Sequence, residues 1–213
     1  MRAYQNALLD PSQVVVCLID HEPKMFFGVE SASRNCVLNV VTGLAKTAKA
    51  FGIPIVLSTV EAQKFSGPLV SKVQSVFPDI TPIHRTTFNA WENGNFRRAV
   101  EQTARKKLLL AGLWTEVCVT LPALSALIDG YEIYVVADAC AGSSCEAHDM
   151  AMQRMIQAGA KSVTWQAALL EMQRDWANKD TYQAVTAVVK EHGGAYGLGL
   201  EYAETLVPAS QQQ

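Results

Sequence analysis

Charge is scarce in this chain. Asp, Glu, Lys and Arg make up 18% of its 213 residues and nearly cancel, leaving a formal net charge of −2. No basic face emerges, so the electrostatic footprint of a nucleic-acid binder is missing. The one dense basic run, Arg105-Lys106-Lys107, falls where a helix should end, and cations there complement the helix dipole. No apolar run approaches the ~20 residues of a membrane-spanning helix, and residues 1–13 are too polar for a secretory signal. Neither nucleic acid nor a membrane is therefore an expected partner. The five cysteines are odd in number and contain no C-x-x-C pair. That excludes a disulfide framework and a zinc ribbon, and a reducing, cytoplasmic location is the expectation. A G-x-G-x-x-G loop is also lacking. Asp20-His21-Glu22-Pro23 follows the first apolar run instead, so a dinucleotide pyrophosphate has no cradle.

What the chain does have is apolar residues in ordered patterns. Nearly half of it is hydrophobic, enough for a continuous core without metal or disulfide support. The continuous apolar run 14–19 reads as a strand buried on both faces, 55–60 is a second apolar, β-branched run, and 80–84, 108–111, 133–137 and 162–165 read as further strands. Between them, helical periodicity covers 33–51, 69–77, 95–105, 117–128 and 147–158, with two more helical stretches at 167–176 and 181–190. Pro122 should distort the fourth of these or lie near its first turns. Strand and helix alternate, which predicts an α/β fold: a doubly wound three-layer sandwich around a six-stranded, mainly parallel sheet. The expected organisation is one domain over 1–213, with a C-terminal helical extension from about 167.

Ligands of open parallel sheets bind beyond the carboxyl ends of the strands. The residues to read are therefore Asp20, Val60-Glu61, Arg85, 112–118, 138–145 and Gln166. They include an acid, a cation and a cysteine. In Gly112-Leu113-Trp114-Thr115-Glu116-Val117-Cys118, Thr115 is a candidate N-cap, which puts Cys118 in the first helical turn. The N–H groups there lack helical partners. They and the dipole should lower the pKa of a thiol and could hold an oxyanion. A small buried core cysteine is the competing reading of Cys118, a turn aspartate that of Asp20, and a surface arginine that of Arg85. His21 and His148 are weaker candidates. Cys17 and Cys36 are expected in the core.

Together these positions resemble the isochorismatase-like, or cysteine hydrolase, superfamily. Its signature is an Asp at the end of the first strand, a Lys after the third, and a Cys in a G-x-x-T-[DE]-x-C-V segment after the fourth. Here those positions are Asp20, Arg85 and 112–119. Asn89-Ala90-Trp91, Pro122-Ala123-Leu124-Ser125-Ala126 and Arg174-Asp175-Trp176 look most similar to the YcaC-like branch. The resemblance implies a cysteine-dependent hydrolase acting on a small amide or related C–N carbonyl through a thioester. Cys118 would be the nucleophile, Asp20 the general base and Arg85 its cationic partner. The backbone N–H groups of Trp114 and Cys118 would form the oxyanion hole, beside a non-proline cis peptide at Leu113–Trp114. Arginine stays protonated and cannot shuttle protons, so acid–base work falls on Asp20. Nicotinamidases of the superfamily carry an Asp and His cluster after the second strand. Here Thr59-Val60-Glu61-Ala62-Gln63-Lys64 has no histidine, so no metal and no other cofactor is expected.

Phe26, Phe27, Phe88, Trp91 and Trp114 are candidates for an aromatic pocket wall around a small-molecule substrate. Two other functions fit parts of the pattern: an oligomeric scaffold with a relic site, and a vinyl ether hydrolase. Apolar residues over 167–176, 182–189 and 196–208 exceed what a six-stranded core needs and point to a homo-oligomer larger than a dimer. Cys140 and Cys145 follow the fifth strand, close enough in the expected topology to suggest a redox link to a reactive Cys118.

Overall fold

The structure is a computed structural model that describes residues 8–206. Residues 1–7 and 207–213 lie outside it, and with them the end of the apolar 196–208 stretch and most of the polar N-terminal segment.

Six strands form one sheet: β1 Val14–Ile19, β2 Ile55–Val60, β3 Ile83–Arg85, β4 Lys107–Gly112, β5 Glu132–Val136 and β6 Lys161–Val163. Their order is β3-β2-β1-β4-β5-β6 and every pairing is parallel. All residues of β1 and β4 are buried, as expected of central strands covered on both faces. The helices are α1 Pro23–Phe27, α2 Arg34–Ala50, α3 Ser71–Gln74, α4 Gly94–Gln102, α5 Thr120–Ile128, α6 Cys145–Gln157, α7 Trp165–Gln173, α8 Lys179–His192 and α9 Ala195–Leu206. One layer packs α2 with α7 and α8, and α9 rests on α8; α5 and α6 pack together in the other. The result is the α/β three-layer architecture expected.

Several boundaries differ from the expectation for local reasons. β3 starts only after Pro82, which has no N–H to give to a ladder, and runs on to Arg85. β6 stops at Val163 because the Trp165 N–H is taken by Asp138 Oδ1 at 2.9 Å, and α7 begins there. The helix expected over 117–128 is split into a π-helical turn, Thr115–Val119, and α5. Pro122 sits in the first turn of α5, where a missing N–H costs no helical bond.

The strand order reverses beside β1. The chain moves from β1 outward to β2 and β3, then returns to β4 on the other side of β1. That switch point opens a crevice at the carboxyl ends of the strands. Gly112 closes its base. A Cβ on Gly112 would fall 2.6 Å from the Ile19 carbonyl oxygen, so only glycine lets the end of β4 pack against the end of β1.

Candidate active site

Asp20 follows β1 directly and has φ 59°, in the left-handed region. A non-glycine residue there is costly and persists where its surroundings enforce it. Here the Asp20 N–H donates to the Ser58 carbonyl at 3.0 Å. Arg85 ends β3 and is almost completely buried. Its Nη2 donates to Asp20 Oδ2, its Nε to Ser58 Oγ at 3.2 Å, and its Nη1 to the carbonyls of Thr87 and Phe88. Asp20 Oδ1 has no hydrogen-bond partner in the ordinary range among the described residues. The side chain that approaches the carboxylate from the β4 side is the Cys118 thiol. The structure thus brings Asp20, Arg85 and Cys118 together at the switch point.

The turn that carries Cys118 differs from the expectation in two ways. Thr115 does not cap it; its Oγ1 pairs with His148 Nδ1 at 2.8 Å. The Cys118 N–H is not free either, because it donates to the Trp114 carbonyl at 2.9 Å. The Trp114 N–H, after the cis Leu113–Trp114 peptide, faces the Cys118 sulfur.

The electrostatics also correct the expectation of a low thiol pKa. Burial pushes the Cys118 thiol up to about 12, and the Asp20 charge pushes the same way, outweighing Arg85 and the Trp114 N–H. Burial also lifts Asp20 to about 6, against the pull of Arg85. The pair therefore holds its proton on sulfur and leaves Asp20 a base near neutral pH.

A cavity of about 230 Å³ opens onto Cys118. Met25, Val60, Phe65, Phe88, Trp114 and Val117 make its apolar walls, and Glu61, Ser66 and Thr86 add polar groups. Phe88 stands at the rim, 69% exposed. Trp114 is fixed by its Nε1, which donates to the Met25 carbonyl at 2.9 Å. Three expected wall residues are elsewhere. Trp91 is buried beside α5, its Nε1 donating to Asp129 Oδ2 at 2.8 Å and its ring edge-on to Tyr131. Phe26 is buried with its ring 6.2 Å from that of His21, and Phe27 is exposed; neither lines the cavity. Val60 and Glu61 were flagged by the strand-end rule. Val117 fell within the flagged 112–118 segment, whereas Met25, Phe65 and Ser66 carried no sequence signal; Phe65 and Ser66 lie in the π-helical turn Ala62–Ser66, which has no period of its own to read.

His21 is buried, with Nε2 on the Ala139 carbonyl at 3.1 Å, and burial lowers its pKa to about 4. Cys17 is in the core, whereas Cys36 is exposed. The Cys140 thiol is buried against the Gly112 N–H, and Cys145 is exposed beside the Glu30 and Ser31 carbonyls. Neither lines the cavity with Cys118. Among the described residues, no group of three or more His, Cys, Asp or Glu could hold a metal ion, and no helix is long and apolar enough to cross a membrane.

Residues 14–167 match the family model for the isochorismatase domain. The chain belongs to the isochorismatase family. Within this hydrolase family it is YcaC-like. It is 38% identical over 171 residues to the Escherichia coli protein named "Probable hydrolase YcaC", covering 80% of this chain and 82% of that one. The crystal structure of E. coli YcaC, described as an octameric hydrolase of unknown specificity, superposes with a TM-score of 0.89 at 35% identity over 94% of this chain and 98% of that chain. YcaC from Pseudomonas aeruginosa, with hexane-2,5-diol and covalent acrylamide, superposes with a TM-score of 0.88 at 34% identity over 92% and 97%.

Proposed function

We propose that this isochorismatase-family protein is a cytoplasmic, cysteine-dependent hydrolase of a small amide or related C–N carbonyl compound, working through a thioester on Cys118. The observation that carries the reading is the placement of the Cys118 thiol against Asp20, whose Oδ2 is held by Arg85, at a largely apolar cavity. Asp20 takes the thiol proton as sulfur attacks the carbonyl carbon. The developing oxyanion is met by the Trp114 N–H. The Cys118 N–H can join it only by leaving the Trp114 carbonyl, so the oxyanion hole expected from two donors begins with one. Asp20 then returns the proton to the leaving nitrogen, and the C–N bond breaks. Water, deprotonated by Asp20, attacks the thioester carbonyl; the acid departs and the thiol is restored. Arg85 keeps its charge throughout and orients the Asp20 carboxylate.

The cavity suits a short substrate with one apolar side. Acrylamide, covalently bound in the P. aeruginosa relative, is a small primary amide and an electrophile, which fits a reactive thiol at a site of this size. The experiment is a panel of small primary amides and carbamoyl compounds with intact-mass detection during turnover. An acyl adduct mapped to Cys118 is the expected result; hydrolysis that persists in Cys118→Ala would overturn the mechanism.

We also propose a homo-oligomer larger than a dimer. Leu198, Tyr202 and Leu206 are exposed on α9, and the E. coli relative is described as octameric.

A further inference from the structure

Glu22 lies two residues past Asp20 and is fully buried. Its Oε2 accepts the Val60 N–H at 3.0 Å, and its Oε1 has no partner among the described residues. Two buried carboxyls, Asp20 and Glu22, therefore face one buried cation. That cation is engaged elsewhere. The Arg85 guanidinium spends its bonds on Asp20, Ser58, Thr87 and Phe88, and none reaches Glu22. His21, between the two acids, stays neutral at physiological pH. Lys24, Glu61 and Lys64 belong to the elements packed around Glu22, but Lys24 and Lys64 are exposed and Glu61 is half-exposed, where solvent screens them. An ionised carboxylate buried with one neutral hydrogen bond and no ion pair is strongly disfavoured.

We propose that Glu22 is a positioning residue of this site, a carboxylic acid kept protonated so that the Arg85 charge is matched by Asp20 alone. The proposal rests on the reading of Asp20 as the base. Burial pushes Glu22 up to about 8; the Val60 N–H opposes this, the Asp20 charge adds to it and Arg85 opposes it. Below that pH the trio carries one positive and one negative charge. Above it Glu22 gives its proton to solvent, and a second negative charge appears beside Asp20 and Cys118. That charge opposes both thiol deprotonation and the oxyanion, so turnover falls. The alkaline limb of the pH profile then belongs to a residue that does not line the cavity.

Two measurements test this. The first is carboxyl 13C NMR of glutamate-labelled Cys118→Ala protein, with Glu22 assigned by the signal lost in Glu22→Gln or Glu22→Asp. The Glu22 carbon should show the protonated acid at pH 7 and titrate near pH 8; an ionised Glu22 at pH 6.5 would overturn the proposal. This arm needs no turnover, so it holds whether or not Cys118 is the nucleophile. The second is kcat/KM against pH. The parent enzyme should lose activity by ~10-fold per pH unit above about 8, while Glu22→Gln, which mimics the protonated acid, should stay flat there with KM little changed. An alkaline limb that survives unchanged in Glu22→Gln would also overturn it.

Discussion

Gly28 and Trp114 touch so closely that a Cβ on Gly28 would lie 2.3 Å from Trp114 Cζ2. The indole is one wall of the cavity, and its Nε1 is tied to the Met25 carbonyl just ahead of Gly28. The end of α1 thus sets the position of the wall that follows the cis peptide. Gly28→Ala should push the indole into the cavity. The expected outcome is a KM higher by ~10-fold or more, with stability reduced by about 1–3 kcal/mol from overpacking. Steady-state kinetics and thermal melting check it, and an unchanged KM would contradict it.

As the proposed base, Asp20 acts only above its raised pKa of about 6. Activity should therefore fall by ~10-fold per pH unit below about pH 6. The sign for stability follows from the same shift. The folded protein holds this proton more tightly than the unfolded chain, so Asp20 contributes stability at low pH that is lost as pH rises from about 4 to about 6. Asp20→Asn should abolish the acid limb and reduce kcat by ~100-fold or more. A pH–rate profile of both proteins decides it; an acid limb retained in Asp20→Asn would assign the base elsewhere.

Arg85→Lys should keep the charge beside Asp20 but lose the hold on the loop. Lysine cannot reproduce the fork that binds Asp20, Ser58, Thr87 and Phe88 together. Since Phe88 is at the cavity rim, KM should rise by ~10-fold while kcat falls less. Arg85→Met should be inactive and less stable, because it leaves the Asp20 charge buried and unpaired, a change that costs about 3–5 kcal/mol in comparable pairs. Equal kinetics for Arg85→Lys and the parent would show that the fork contributes nothing.

Assembly is tested by light scattering at micromolar concentration. The expected mass exceeds that of a dimer. Leu198→Glu with Tyr202→Glu should reduce it by placing charge on the exposed face of α9. A monomeric parent protein would refute this.

The central sheet and the three converging residues were legible in the sequence for one reason. Strands covered on both faces must be apolar throughout, so β1 and β2 have the limits read from their runs, and Asp20 and Arg85 stand where strand ends had to be. Cys118 was legible by the same rule, but its environment was not. A dipole argument lowers its pKa, whereas burial and the Asp20 charge, both tertiary, raise it. Trp91 shows the other limit. An aromatic residue near a strand end packs into a core or lines a cavity with equal ease, and its bond to Asp129 depends on where α5 lies. Glu22 carried no reading of its own, because nothing local indicates that the chain after Asp20 stays buried.

The central claim is that Asp20 activates Cys118 by taking its proton. The most direct measurement is the rate of Cys118 alkylation by acrylamide against pH, resolved from the other four cysteines by peptide mapping. The account expects reactivity in the parent protein to appear as Asp20 ionises, near pH 6, and in Asp20→Asn to be lost until strongly alkaline pH. Reactivity of Cys118 that is the same in both proteins, or that appears in the parent only at strongly alkaline pH, would contradict it.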